Sequence, residues 1–377
     1  MGKHSTSGKE ICCGCGACAD RCGARAIKLV QDKEGFLYPR IDKSKCTGCG
    51  RCKQVCPINE PVAADCENQY FGIQAKEKEI RYSSSSGGIF PILAQYVLEQ
   101  QGSVYGAGYN ENMEVTHQEV RGLAELDSIK RTKYIQSNLN GIYKKIQQQL
   151  KQGQWVLFCG TPCQAQALRL FLNQSYEKLI LMDLICYGVP SPGIWQNYVK
   201  DLEHRHSGTM TDFSFRDKRN RDHGHMRSFV IDGIEYAGSL FSDIYCKMYF
   251  GNYILRPSCH ICQFCKVERN SDFTIGDFWG MEHLRPDLDD GMGTSLVILH
   301  TDKAREIWDQ VKERTVWFAC EKEQALQPRL LAPTRAAKGR GLFMAAYKVL
   351  PFSLLTKLIT LGIKCKSAVS WSRRKRK

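Results

Sequence analysis

Two cysteine runs near the start of the chain have a spacing that iron–sulfur chemistry demands. Cys12-x2-Cys15-x2-Cys18-x3-Cys22 recurs downstream as Cys46-x2-Cys49-x2-Cys52-x3-Cys56. A cubane cluster takes three thiolates from one tight loop and a fourth from a remote segment, and in paired runs the fourth cysteine serves the other cluster. The spacing therefore assigns one [4Fe–4S] cluster to Cys12, Cys15, Cys18 and Cys56, and a second to Cys46, Cys49, Cys52 and Cys22. Gly14, Gly16, Gly48 and Gly50 suit loops that aim backbone N–H groups at sulfide and need unusual φ values. Pro57 follows Cys56 as the pattern requires, whereas Gly23 stands where the first run would have proline. Zinc wants two ligand pairs at a longer separation and has no use for eight nested cysteines. Cys13 and Cys66 have no place in the pattern and read as bystanders.

A third group, Cys259-x2-Cys262-x2-Cys265, again offers three ligands at cubane spacing, but its fourth is missing locally. Donors are available in Cys159-Gly160-Thr161-Pro162-Cys163-Gln164 and in Asp183-Leu184-Ile185-Cys186-Tyr187-Gly188. Both segments follow strands expected to end at one edge of an α/β sheet, where ligands bind. Cys163 is the first choice for the fourth ligand and Cys186 the second; a structural zinc using His260 is the competing reading. Cys246, Cys320 and Cys365 read as ordinary thiols. Ser83-Ser84-Ser85-Ser86-Gly87-Gly88 runs into a helix beginning near Ile89, an arrangement that can hold a flavin or nucleotide phosphate. A serine-capped helix start is the plainer alternative. Neither a Rossmann glycine fingerprint nor a Walker loop is present.

The elements that must position these residues fall into four stretches. Residues 8–66 hold ten cysteines and little that could build a core, so a metal-stapled ferredoxin-type α+β unit is expected. Residues 67–175 and 176–335 alternate apolar runs with helical patterns. Strands are expected at Tyr70–Ile73, Ser103–Tyr109, Trp155–Cys159, Leu179–Leu184, Asp212–Arg216, Ser228–Ile231 and Ser295–His300. Helices are expected at Gly88–Gln101, Ile142–Gln152, Gln164–Asn173 and Lys303–Arg314. This predicts an α/β domain with a mixed, partly parallel sheet, with a weak boundary near residue 175. Residues 336–377 form a basic, partly apolar tail.

With 43% hydrophobic and 24% charged residues, the 377-residue chain is not disordered as a whole. Met1–Glu10 lacks an apolar core for a secretory signal, and no apolar run reaches the length of about 18 residues of a membrane span. The reducing cytoplasm is thus the expected compartment for the 19 cysteines. The net charge of +14 suits nucleic acid, anionic lipid or an acidic redox partner. No nucleic-acid-binding module is recognisable, so no nucleic-acid partner is expected. Leu342–Ile363 is interrupted by Lys348, Pro351 and Lys357; it packs on the protein or lies on an anionic membrane surface beside Arg373–Lys377.

The N-terminal segment resembles bacterial-type ferredoxins with two [4Fe–4S] clusters. Beyond it, Ser84–Gly88, Lys133–Ser137, Gly160–Gln164, Asp183–Pro192, Phe215–Lys218, Cys259–Cys265 and Asp272–Gly280 come in the order of one family. Over about residues 10–325 the chain resembles the beta-subunit family of coenzyme F-420 hydrogenases and dehydrogenases. The resemblance implies an iron–sulfur flavoprotein that binds FAD and passes electrons between clusters and a two-electron partner. That partner is a small-molecule substrate or a deazaflavin coenzyme. The resemblance also implies a setting such as surface polysaccharide synthesis, where related chains occur. It carries the flavin site to Ser86, Gly87, Gly88, Lys133, Tyr134, Gln136 and Ser137. Lys133 would hold negative charge at the flavin ring and His225 would donate a proton. Tyr187 stands where many members have histidine, and Arg221–His225 where many have an aromatic stretch, so the substrate is not fixed. The expected function is an oxidoreductase fed by reduced ferredoxin or another redox protein. The alternative is an electron-transfer subunit without its own substrate, docked on a catalytic partner.

Overall fold

A computed structural model describes residues 8–60, 67–221 and 224–361. Cys66, Cys365, His223 and Arg373–Lys377 lie outside the described residues.

The N-terminal segment contributes a hairpin, β1 (Ile27–Gln31) and β2 (Leu37–Ile41), flanked by the two cysteine runs. Next come β3 (Gln69–Ala75), β4 (Ser103–Tyr109), β5 (Val115–Val120), β6 (Val156–Gly160) and β7 (Leu179–Leu184). They are followed by β8 (Met210–Asp217), β9 (Met226–Ile231), β10 (Ile234–Ser239), β11 (Phe273–Asp277), β12 (Ser295–Leu299) and β13 (Thr315–Cys320). Eight of these strands form one sheet in the order β13-β3-β12-β11-β7-β6-β4-β5, drawn from both sides of residue 175. Its centre, β11-β7-β6-β4, is parallel, and the outer pairings are antiparallel. This is the mixed sheet the alternating pattern predicts.

The central strands are buried on both faces, which is why they read as unbroken apolar runs. Alternate residues face different helices. Leu157, Ile180 and Met182 pack with the helices Ile89–Glu99 and Asp302–Val311, while Phe158, Leu179 and Leu181 pack with Ile142–Lys151 and Pro162–Leu172. The last of these starts two residues earlier than its apolar pattern suggests. Thr161 and Gln164 form a reciprocal capping box with Pro162 in the first position, so Cys163 sits in the opening turn.

The antiparallel meander β8-β9-β10 forms a second body with helices Pro192–His206 and Ile244–Phe250, around Trp195, Tyr198, Phe213, Phe215 and Tyr245. Phe36 and Tyr38 of the N-terminal hairpin belong to that core. So do Phe343, Met344 and Leu355 from the tail, where Arg340–Tyr347 and 352–361 are helical; Leu342, Leu358 and Leu361 on the same segment are exposed. Among the described residues no helix is long and apolar enough to cross a membrane.

The cysteine-rich segment is docked rather than tethered. The Gly193 N–H donates to the Gly35 carbonyl at 3.1 Å, and Ser191 Oγ donates to the Glu34 carbonyl at 2.6 Å. Gly35 has φ 82°, and a Cβ there would lie 2.7 Å from the Gly193 backbone, so only glycine permits this approach. Asp20 caps a helix it does not belong to. Its carboxylate accepts the N–H groups of Gly141 at 2.9 Å and Tyr143 at 3.2 Å, at the start of Ile142–Lys151. Asp20→Ala should cost about 1–2 kcal/mol, the usual worth of an N-cap, and lower the thermal midpoint. An unchanged midpoint would show that the docked carboxylate does no capping.

Candidate functional site

The N-terminal loops turn as cluster-binding loops must. Gly14, Gly16, Gly48 and Gly50 have φ of 68°, 83°, 71° and 74°. Gly16 and Gly50 open the short helices Ala17–Arg21 and Arg51–Gln54, which carry Cys18 and Cys52. The fold crosses the two runs over. Burial, and then the neighbouring thiols of Cys12, Cys56 and Cys52, push Cys18 up to about 12. Cys52 is pushed up by burial first, with Cys49, Cys22 and Cys46 adding to it. Cys56 is thus a neighbour of Cys18 in the first run, and Cys22 a neighbour of Cys52 in the second. Cys15 is buried toward the body, whereas Cys46 and Cys49 are exposed. Around that exposed end Arg40, Lys43, Lys45, Arg51 and Lys53 are exposed together with Asp42.

Six thiols line a compact cavity of about 100 Å³: Cys13, Cys163, Cys186, Cys259, Cys262 and Cys265. Cys163 and Cys186 follow the parallel strands β6 and β7, so they emerge at the same sheet edge. The turn Pro257–Ile261 presents Cys259, whose sulfur accepts the Val189 N–H at 3.4 Å. Among the described residues, no three His, Cys, Asp or Glu converge closely enough for a single ion. The sulfurs face one another across a space. His260 does not join them; its Nδ1 donates to the Thr334 carbonyl at 2.8 Å. Cys159 lines a different cavity.

Cys13, which the spacing leaves without a role, lines the same cavity as Cys163, and its thiol is pushed up first by the neighbouring Cys15. It links the N-terminal loop to the six-thiol cavity. No local spacing could reveal this, because its partner comes from the start of a distant helix.

A larger cavity of about 330 Å³ shares Thr161, Cys186, Tyr187, Gly188 and Val189 with the thiol cavity. The ends of β6, β7 and β11 line it through Gly160, Leu184 and Asp277. The helix Ile89–Glu99 opens onto it with Gly88 as N-cap, at φ 98°, and no side chain caps it. The serine hydroxyls are used otherwise. Ser84 Oγ donates to the Ile80 carbonyl at 2.6 Å, Ser86 Oγ to the Thr294 carbonyl at 2.9 Å, and Ser85 Oγ accepts the Thr132 N–H at 2.7 Å. Lys218 braces the loop by donating to the carbonyls of Ser86 at 2.6 Å and Arg81 at 2.7 Å.

The lining is electropositive. Lys130, Arg131, Lys133, Arg216 and Arg329 face one carboxylate, Asp277, which pairs with Arg216 at 2.6 Å. The Lys133 side chain is half-buried, but loss of hydration at its amine, reinforced by Arg131, draws its pKa down to about 7. His117 also lines the cavity. It is buried, its Nε2 donates to the Cys159 carbonyl at 3.0 Å, and its Nδ1 has no partner. Burial pulls its pKa down to about 4, so the ring is neutral and Nδ1 is a bare acceptor.

Of the residues that the resemblance gives to a flavin, Ser86, Gly88, Lys133, Tyr134 and Ser137 line this cavity. Gly87 and Gln136 do not. Gly87 presses on the sheet, where its carbonyl accepts the Ala75 N–H at 2.7 Å. Gln136 turns to the N-terminal segment and donates to the Cys13 carbonyl at 2.9 Å. His225 is exposed at the start of β9, its ring 5.1 Å from that of Phe241, and is not among the lining residues. Pairing of its carbonyl with the Leu240 N–H at 2.8 Å holds it there.

Comparison with known proteins gives the following. Residues 153–324 match the family model for the C-terminal part of the coenzyme F420 hydrogenase/dehydrogenase beta subunit. Residues 11–59 and 38–96 match two models of a 4Fe-4S dicluster domain. An F(420)H(2) dehydrogenase subunit of Methanosarcina mazei is 27% identical over 194 residues, 47% of this chain and 53% of that protein. Ferredoxin-type protein NapF of Haemophilus influenzae is 40% identical over 45 residues, 12% of this chain and 26% of that protein. The chain thus spans about half the length of the first relative and about a quarter of the second. A chain of the xenon-derivatised F420-reducing [NiFe] hydrogenase complex from Methanosarcina barkeri aligns with a TM-score of 0.45 at 17% identity, covering 78% of this chain and 92% of that one.

The placement of Gly87 has a direct consequence. A Cβ there would lie 2.0 Å from the Ile73 carbonyl oxygen and 2.5 Å from the Ser295 nitrogen, both backbone atoms of the sheet. Gly87→Ala should therefore cost the folded protein itself, seen as low soluble yield or a collapsed thermal midpoint. A stable G87A that had lost only ligand binding would return Gly87 to the cavity.

Proposed function

The chain belongs over residues 153–324 to the coenzyme F420 hydrogenase/dehydrogenase beta-subunit family, behind a 4Fe–4S dicluster domain, and from that premise we propose its function. It is an iron–sulfur flavoprotein oxidoreductase that passes electrons between [4Fe–4S] clusters and a flavin. A small molecule or deazaflavin-type coenzyme is its two-electron partner. When bound, cubane clusters supply single-electron steps, and a flavin such as FAD joins them to hydride transfer. Cys12, Cys15, Cys18 and Cys56 hold one cluster, and Cys22, Cys46, Cys49 and Cys52 a second. Cys259, Cys262, Cys265 and Cys163 hold a third. Cys163 is preferred to Cys186 as the fourth ligand because it lines the thiol cavity alone, whereas Cys186 stands in the wall between the two cavities.

One observation carries this reading. The thiol groups run from the exposed Cys46 and Cys49 by way of Cys52, Cys18 and Cys15 to Cys13, which lines one cavity with Cys163, and that cavity shares a wall with the larger one. That cavity has a volume usual for small-molecule sites. Its uncapped helix start and five cations suit a phosphate-bearing ligand. The unpartnered His117 Nδ1 awaits a donor. Lys133 holds negative charge at the ligand. A substrate would supply or take its hydride at the same cavity.

The second reading is an electron-transfer subunit on a catalytic partner. The basic rim around the exposed Cys46 and Cys49 favours it, since such a rim suits an acidic redox protein. Anaerobic purification separates the readings. The first expects about twelve irons and one flavin per chain, and Cys259→Ser should lower the iron to about eight. In a pair of further variants, C163S should lose the same four irons that C186S keeps. Eight irons without flavin would favour the second reading.

Ligand binding should also titrate. The charged form of Lys133 attracts a phosphate-bearing ligand, and with its pKa lowered to about 7 that charge is lost as pH rises. FAD affinity, followed by flavin fluorescence, should therefore weaken above about pH 7, and Lys133→Met should be weaker at pH 6 with a flat profile. Identical slopes for both proteins would remove Lys133 from the site.

A further inference from the structure

Arg256 has no exposed surface. Its Nε donates to the Cys12 carbonyl at 2.7 Å, one Nη to Gln136 Oε1 at 2.9 Å, and the other to the Leu37 carbonyl at 3.0 Å. The latter Nη also approaches the Cys12 sulfur at 3.8 Å. The guanidinium lies over the rings of Tyr38, at 4.1 Å, and Phe36, at 5.4 Å. None of these partners is a carboxylate. An arginine does not give up its proton, and a fully buried cation is ordinarily balanced by an anion. Carbonyl dipoles and ring faces satisfy its donors but leave the charge itself unbalanced.

The sulfur at 3.8 Å belongs to one of the proposed cluster ligands. A cubane held by four thiolates is a net anion, and reduction adds one more negative charge; nearby charge and hydrogen bonds to sulfur set its potential. We propose that Arg256 is the built-in counter-charge of the cluster held by Cys12, Cys15, Cys18 and Cys56, and that it raises the reduction potential of that cluster. This rests on the iron–sulfur reading above. The local backbone is arranged for it. Gly14, at φ 68°, leaves the space that a Cβ would contest at 2.6 Å from the guanidinium. Arg256 also stands immediately before Pro257 and the turn that bears Cys259. One cation thus biases an electron toward the cluster nearest the six-thiol cavity and fixes the turn that lines it. Arg256 acts here as a positioning and tuning residue, with no contact to substrate.

The test uses the full chain purified anaerobically, with iron and sulfide analysis and a redox titration monitored by electron paramagnetic resonance. Arg256→Gln should keep its iron and sulfide while the midpoint of one N-terminal cluster falls. The expected change is at least tenfold in the reduction equilibrium, 59 mV for one electron. R256K, which keeps the charge, should stay near the parent value. Gln136→Glu, which pairs the guanidinium with a carboxylate, should shift the same midpoint downward; should R256Q fail to take up iron, this variant decides alone. Full iron content with unmoved midpoints in R256Q, or in Q136E where it decides, overturns the proposal. So does failure of all three variants, including R256K, to assemble the cluster, which would make the role purely structural. A parent protein without eight irons and matching sulfide would instead remove the iron–sulfur reading on which the proposal stands.

Discussion

A buried guanidinium fastened to backbone carbonyls holds the two halves of this molecule in register. The cysteine-rich segment has too little apolar surface to make a core of its own, so its position depends on what it borrows. It borrows through Phe36 and Tyr38, which enter the aromatic core of the second body, and through Arg256, which lies over both rings and reaches back to Cys12 and Leu37. Asp20, Gly35 and Tyr143 add contacts around the same interface, the last through its hydroxyl on the Cys15 carbonyl at 3.1 Å. The bonds of Arg256 to Cys12 and of Tyr143 to Cys15 end on the backbone of the first cysteine loop rather than on side chains at its rim. Backbone anchoring fixes the loop to within a bond's tolerance, and electron passage between neighbouring centres requires that fixity.

The large cavity is the complementary case, in which stability is given up locally. Lys133 and Lys218 both have pKa values drawn down to about 7, first by burial and then by neighbouring arginines, so each is uncomfortable as a cation. The folded state is destabilised relative to the unfolded chain as pH falls from the ordinary lysine range to about 7, because protonation there favours the unfolded form. A phosphate-bearing ligand would reverse the sign of that effect. Of the two lysines, Lys133 lines the cavity itself, whereas Lys218 stands behind the serine loop on the carbonyls of Arg81 and Ser86.

What could be read in advance follows the range of the interactions involved. The nested cysteine spacing was legible because a cluster's three local ligands lie within one loop. The central strands were legible because burial on both faces leaves a continuous apolar run. Strands β1, β5, β10, β11 and β13 escaped. β10 and β13 are largely exposed, β5 alternates polar side chains, and β11 is short and carries Gly276. The stretch Lys133–Ser137 shows the limit most clearly. Its motif is continuous in sequence, but the fold divides it: Lys133, Tyr134 and Ser137 face the cavity while Gln136 joins Arg256. Cys13 and Arg256 acquire their roles only through residues more than a hundred positions away, which no spacing encodes.

The topology explains why two such different cavities share a wall. β6, β7 and β11 run parallel, so the segments that follow them leave the sheet at one edge. The first turns at once into a helix, placing Thr161 and Cys163 side by side. The second, Cys186–Pro190, stays irregular and runs across the edge. The third carries Asp277 and Trp279 to the far side of the larger cavity. Because Cys186–Val189 has no regular partner strand, it can present one face to the thiols and the other to the cationic cavity. A helix there would have consumed its backbone groups, and a strand would have extended the sheet and sealed the two spaces from each other. The irregular crossing is what leaves a shared wall between the six-thiol cavity and the cationic one.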